Sequence, residues 1–132
     1  MKASRFLLDS HTFLWLASDD SQLPQRIRQL ALDRQNVLLL SIASIWELAI
    51  KTSLGKLVLR TPLNELIDAQ LTALGARVLP IETEHAVAVA DLEFHHRDPF
   101  DRLLVAQALV EQVPLLSCDA QLDEYPIDRV WQ

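Results

Sequence analysis

Apolar positions along the chain fall into two alternating kinds of run. Short continuous runs bounded by polar or turn residues read as buried strands: Arg5–Asp9, Val37–Ser41, Val78–Ile81, Pro114–Cys118 and, as a last candidate, Ile127–Trp131. Longer segments between them carry apolar residues at helical spacing. Ser21–Asp33 has them at 23, 27, 30 and 31. Ser44 followed three residues later by Glu47 is a capping-box pattern, and predicts a helix from about Ile45 to Ser53 that stops near Gly55. Pro62–Leu74 reads as a helix with Thr61 as N-cap, Pro62 at the first position and Gly75 just past the end. Glu82–Leu92 is alanine-rich and helical. Asp98–Gln112 carries the strongest helix pattern, with Asp98 capping and Pro99 in the first turn. Strands separated by helices imply an α/β fold with a parallel sheet covered on both faces.

Composition narrows the chemistry. The 132 residues, half of them apolar, are the length of one domain, residues 1–132, with a core that needs no staples. Two glycines, Gly55 and Gly75, cannot write a P-loop or a dinucleotide fingerprint. One cysteine, Cys118, excludes an internal disulfide and a multi-cysteine zinc site. Met1–Asp9 holds Lys2 and Arg5 but an apolar run of only three residues, Phe6 to Leu8, shorter than a secretory signal needs. No window has the ~18 apolar residues of a membrane span. These features predict a soluble, cytoplasmic protein with no membrane partner. The formal charge of −6 argues at first against nucleic acid, because phosphate binding usually shows as a basic surplus.

In an open parallel sheet, ligands bind beyond the carboxyl ends of the strands. Asp9, with Ser10 and His11, follows the first strand. Glu47 lies one turn into the helix after the second. Asp98 and Asp101 open the long helix, and Asp119 follows Pro114–Cys118. Each acid also has a plain reading. Asp9 could be a turn residue or an N-cap, Glu47 could complete a capping box with Ser44, and Asp98 suits an N-cap. Asp101 would favour the helix dipole, and Asp119 could cap a short helix over Ala120–Glu124. Their joint placement says more. Four segments deliver a carboxylate to one rim, and close like charges destabilise a fold unless a cation sits among them. Oxygen ligands with Ser10 and Ser117 nearby suit Mg²⁺ or Mn²⁺, and the chemistry such a set supports best is metal-assisted phosphodiester hydrolysis.

Other candidates are less informative. His95 and His96 are adjacent, so on a helix they would face different directions and not share a metal. His85 reads as a surface or partly buried helix residue, and His11 starts a helical run near the rim. Trp15, Trp46 and Trp131 suit a core or interface better than base stacking. Cys118 reads as an inert thiol inside an apolar strand. Lys51, Lys56, Arg97 and Arg102 are candidates for phosphate contact. Arg102 is the leading one, and Lys51 could instead pair with Glu47 at i,i+4.

Four stretches together resemble PIN-domain proteins of the VapC toxin type: Leu7-Leu8-Asp9-Ser10-His11-Thr12-Phe13-Leu14-Trp15, Ser44-Ile45-Trp46-Glu47-Leu48-Ala49-Ile50-Lys51, His96-Arg97-Asp98-Pro99-Phe100-Asp101-Arg102-Leu103-Leu104-Val105-Ala106-Gln107-Ala108, and Leu115-Leu116-Ser117-Cys118-Asp119. The ending Tyr125 to Trp131 is similar to the family's final strand, so the likeness covers nearly the whole chain. The resemblance implies a three-layer α/β/α domain with a central, mostly parallel sheet. It implies an endoribonuclease with a Mg²⁺ or Mn²⁺ site built from Asp9, Glu47, Asp101 and Asp119, Asp98 being either an accessory ligand or only the cap. Ser10, Lys51 and Arg102 are the substrate-binding candidates. The partners implied are an RNA substrate such as tRNA or rRNA, a small cognate antitoxin that inhibits the toxin, and a second copy in a homodimer. Two departures stand out: Ser10 where threonine is common, and Cys118 where a basic residue is often seen.

Rival readings fit less well. A haloacid-dehalogenase-like phosphatase needs Asp-x-Asp-x-Thr, and Asp9-Ser10-His11-Thr12 lacks the second acid; a response-regulator receiver carries paired acids early in the chain, and none precedes Asp9. A catalytically silent PIN-fold module that binds RNA or protein is the alternative outside enzymes. Removing Asp9, Glu47, Asp101 and Asp119 from the 18 acids leaves 14 against 12 bases, so much of the negative balance belongs to the expected site itself.

Overall fold

Side chains on a strand alternate between its two faces, and this sequence buries both faces. A computed structural model describes residues 4–132; Met1–Ala3, including Lys2 of the N-terminal stretch, lie outside them. Strand β1 (Ser4–Leu8) sends Leu7 to one core cluster and Leu8 to another. Strand β2 (Asn36–Ser41) divides the same way, with Leu39 in the first cluster and Leu38 and Leu40 in the second. Strands β3 (Arg77–Leu79), β4 (Leu115–Leu116) and β5 (Arg129–Val130) complete a five-stranded sheet of order β3-β2-β1-β4-β5. The pairings are all parallel, and the register sets Leu7 beside Leu39 and Leu115, and Leu8 beside Leu40 and Leu116.

Among the described residues six helices cover the faces: α1 (Ser10–Ser18), α2 (Gln25–Leu32), α3 (Ile42–Ser53), α4 (Leu63–Leu74), α5 (Thr83–Ala88) and α6 (Pro99–Glu111). Phe13 of α1, Ile27 of α2, Leu48 of α3 and Ile67 of α4 pack with Leu8. Leu104, Val105 and Ala108 of α6 pack with Leu7 on the opposite face. Right-handed crossovers require this split, because the direction of travel across the sheet reverses at β1. The result is the three-layer α/β/α arrangement, and its sheet is wholly parallel.

Helix α6 is buried on most sides, with Arg102, Leu104, Val105, Ala106, Gln107 and Ala108 all enclosed. Its polar members therefore need partners. Gln107 Oε1 accepts the Ser41 hydroxyl at 2.5 Å, and Gln107 Nε2 donates to the Pro80 carbonyl at 3.2 Å. These bonds tie α6 to the exits of β2 and β3.

Several element ends differ from the sequence reading. Helix α3 starts at Ile42, because Ser41 and not Ser44 caps it, accepting the Ala43 N–H at 3.0 Å. Ser44 lies inside the first turn with a buried, unpartnered hydroxyl, so Glu47 is free of any capping box. Pro62 occupies the N-cap of α4 and Thr61 makes no cap bond there, while Gly75 ends the helix at φ 61°, as a C-cap glycine does. Helix α2 starts only after Pro24, and Glu82–Leu92 breaks into α5 and a single 3-10 turn, Val89–Asp91. His85 is 1% exposed, because its Nδ1 accepts the Glu82 N–H at 3.0 Å and its Nε2 meets Glu111 at 2.9 Å. Strand β4 keeps only Leu115 and Leu116, which leaves Cys118 outside the strand and exposed. Among the described residues no helix is long and apolar enough to cross a membrane.

Candidate metal centre

The reversal of strand order at β1 creates a crevice beyond the carboxyl ends of β1 and β4, where the chain leaves toward opposite faces. Asp9 is the first residue after β1, and Asp119 follows β4 by three positions. Glu47 enters from the second turn of α3, and Asp101 from the first turn of α6. These four acids line one pocket of about 330 Å³ together with Ser10, His11 and Cys118.

Asp9 is both cap and pocket wall. Its Oδ1 accepts the Thr12 N–H at 2.8 Å, satisfying a free donor at the start of α1. The buried Thr12 hydroxyl lies 2.7 Å from that same oxygen and 2.9 Å from the Leu116 carbonyl. It has one proton for two acceptors and pins the exit of β1 to that of β4. Glu47 is held from two sides: Ser10 donates its hydroxyl to Oε1 at 2.5 Å, and Lys51 Nζ lies 3.1 Å from Oε2. Ser10 thus orients a carboxylate, and Lys51 is paired to it.

Asp98 spends Oδ1 on the Phe100 N–H at 2.8 Å and the Asp101 N–H at 3.3 Å, and does not line the pocket. Its geometry is that of the helix cap. Asp119 also caps, with Oδ1 accepting the Gln121 N–H at 3.0 Å at the head of a 3-10 turn over Ala120–Glu124. Its Oδ2 lies 3.0 Å from His96 Nε2, and Asp101 Oδ2 lies 3.4 Å from the same nitrogen.

The electrostatic cost is visible at Asp101. Burial, followed by the negative charge of Asp98, raises its pKa from 3.8 to about 7. Glu47 and Asp9 push the same way, and His96 opposes them. The site as folded therefore holds more negative charge than its burial tolerates, which is the condition a divalent cation relieves. The donors are carboxylate oxygens, hard ligands that fit Mg²⁺ or Mn²⁺. His96, Asp101 and Asp119 offer ligand atoms within 4.8 Å of one another.

Some residues sit differently from the sequence reading. Arg102 is enclosed, its guanidinium donating to the Glu93 and Val89 carbonyls and the Tyr125 hydroxyl at 3.0–3.4 Å, and lying over the Phe94 ring. It is a strut for the loop before α6 and not an open phosphate contact. Trp46 is 57% exposed and meets Phe100 edge to face at 5.3 Å, beside the pocket and outside the core. Trp15 sits between His11 and Trp131. Cys118 is exposed rather than inside a strand, but partial burial of its thiol, and then the Asp9 charge, push its pKa up and keep it a poor nucleophile. His96 was visible only as part of the His-Arg-Asp-Pro stretch, and nothing local to it shows that it reaches Asp119.

A family model described as PIN domain matches residues 6–128. A sequence search of curated proteins gives no match. Solved structures that share the fold include the following three. VapBC2 from Rickettsia felis, bound to a DNA fragment from its promoter, superposes with a TM-score of 0.71 at 12% identity, over 97% of this chain and 99% of that one. DNA-bound VapBC from Salmonella typhimurium gives 0.69 at 14%, over 96% and 97%. VapBC-5 from Mycobacterium tuberculosis, a member of the VapBC family of toxin–antitoxin systems, gives 0.59 at 19%, over 96% and 99%. With a domain model that matches residues 6–128, nearly its whole length, the chain belongs to the PIN domain family.

Proposed function

We propose that this chain is a Mg²⁺- or Mn²⁺-dependent endoribonuclease and the toxin of a toxin–antitoxin pair, working in the cytoplasm. The observation that carries the reading is the convergence of Asp9, Glu47, Asp101 and Asp119, from four separate segments, in one pocket. Those four carboxylates would hold the cation. When bound, a divalent ion supplies Lewis acidity that activates water and stabilises an in-line displacement at phosphorus.

The chain's own residues set up that chemistry. Thr12 and Ser10 orient Asp9 and Glu47, so two of the carboxylates are pre-positioned before any ligand arrives. Asp101, whose carboxyl is raised to about 7 by burial and then by Asp98, is the member of the set that a bound cation would favour most in its ionised form. In this reading the exposed Arg97, just ahead of α6, and the part-exposed Lys51, beyond its pair with Glu47, would meet the RNA backbone. The partners in this reading are a tRNA or rRNA target, a small antitoxin that blocks the pocket, and a second copy of the chain. The structural relatives solved as VapBC assemblies support the antitoxin partner.

The test is direct. Antitoxin-free protein should cut RNA from a whole-cell pool in Mn²⁺, and Asp101→Ala should not. A native chain that cuts nothing with Mn²⁺ present, while still binding RNA, would favour the silent binding module instead.

A further inference from the structure

His96 stands beside two of the site carboxylates, and distance alone would make it a third ligand. Its hydrogen bonds say otherwise. The backbone N–H of Asp98 lies 3.1 Å from His96 Nδ1, and an amide N–H can only donate. Nδ1 must therefore present its lone pair. A neutral imidazole has one ring proton, which then sits on Nε2. Nε2 faces Asp119 Oδ2 at 3.0 Å and Asp101 Oδ2 at 3.4 Å, two acceptors that suit an N–H donor.

The Asp98 amide is not free to yield. Asp98 caps α6 through its side chain, and its carbonyl accepts the Arg102 N–H at 3.0 Å, so the residue is anchored at the head of the helix. The cap thus sets the tautomer. Nε2 carries a proton and Nδ1 is covered by an amide, so neither ring nitrogen is open to a cation. His95 does not substitute for it: that ring meets Glu93, Glu124 and Tyr125 instead.

We propose that His96 is a positioning residue for the metal centre. It donates from Nε2 to Asp119, and to Asp101 beside it, and remains outside the coordination sphere when a divalent cation binds. Asp119 is then gripped at both oxygens, Oδ1 by the Gln121 amide and Oδ2 by His96. Each carboxylate oxygen has a second lone pair, so Oδ2 can accept from His96 and still face the pocket. A partner that orients a ligating carboxylate is worth about 10- to 100-fold in metal affinity.

The metal part of this inference rests on the proposed activity, while the tautomer part stands without it. Two-bond proton–nitrogen correlations of the ¹⁵N-labelled chain, near neutral pH, should show His96 protonated at Nε2 and bare at Nδ1. Addition of Mg²⁺ should leave that pattern in place. A proton on Nδ1, or loss of the Nε2 proton when Mg²⁺ is added, would overturn the proposal. Calorimetric titration with Mg²⁺ gives the second readout. His96→Leu should weaken binding by about 10- to 100-fold, and His96→Gln, which keeps an N–H donor, should stay closer to the native chain. Equal losses in both folded variants would overturn the donor role. If His96→Leu does not fold, the tautomer pattern and the His96→Gln titration decide. Should the native chain bind no Mg²⁺ or Mn²⁺, the metal-dependent activity fails, and the metal-free spectrum still decides the tautomer.

Discussion

Asp101→Asn should stabilise the metal-free protein, an unusual outcome for a substitution in a buried polar cluster. Asp101 has a folded pKa of about 7 against 3.8 for an ordinary aspartate, with burial and then Asp98 as the leading causes. Between those values the folded chain binds more protons than the unfolded one, so stability falls as pH rises. The penalty is fully present above about pH 7 and absent below about pH 4. Three pH units at about 1.4 kcal/mol each set an upper limit of about 4 kcal/mol. Relaxation of the pocket will reduce it. Asparagine removes the charge while keeping an oxygen that can accept from His96. Thermal unfolding in chelator at pH 5 and pH 8 is the assay. The gain of Asp101→Asn over the native chain should grow with pH, reaching several degrees at pH 8. Millimolar Mg²⁺ should then raise the native melting point and reverse the order. A gain that does not change with pH, or a variant less stable than native at pH 8 in chelator, would refute the charge-repulsion argument.

Three further outcomes are expected. Ser10→Ala deprives Glu47 Oε1 of its hydrogen-bond donor and should cost about 1.5–3 kcal/mol by denaturant titration, with weaker metal binding. Ser44→Ala removes a buried hydroxyl that has no partner, so the same titration should show an unchanged or higher midpoint. Arg102→Ala should lower the melting point by removing the guanidinium that bridges the Glu93 carbonyl and the Tyr125 hydroxyl, yet leave the salt dependence of RNA binding unchanged. A flatter salt slope would make Arg102 a phosphate contact after all.

The legible parts of the site are those that depend on position along the chain. Asp9 and Asp119 stand after buried runs, and Asp98, Pro99 and Asp101 mark a helix start, so strand exits and helix heads could be placed on one rim before any contact was known. The start of α3 was not legible in the same way. Ser41 and Ser44 are both competent caps, and the choice fell to Ser41 because its hydroxyl also reaches Gln107, 66 residues away. The part His96 plays, and the pairing of Ser10, which the sequence offers only as a substrate-binding candidate, were hidden for the same reason. Their meaning lies in pairings 23 and 37 residues distant, with Asp119 and Glu47, which no local pattern records. Arg102 looked exposed beside an acid, but α6 is enclosed on most sides, and enclosure depends on the packing of α5 and the following loop.

The central claim is that four carboxylates act as one centre for cutting RNA. Single-turnover cleavage of a substrate RNA in Mn²⁺, with Asp9→Asn, Glu47→Gln, Asp101→Asn and Asp119→Asn compared side by side, tests it most directly. Groups that act as a unit fail together. Each folded variant should lose several kcal/mol of transition-state stabilisation, about 100-fold or more in rate. Near-native cleavage by any one of the four, or cleavage by the native chain that survives chelation of Mn²⁺, would contradict the account.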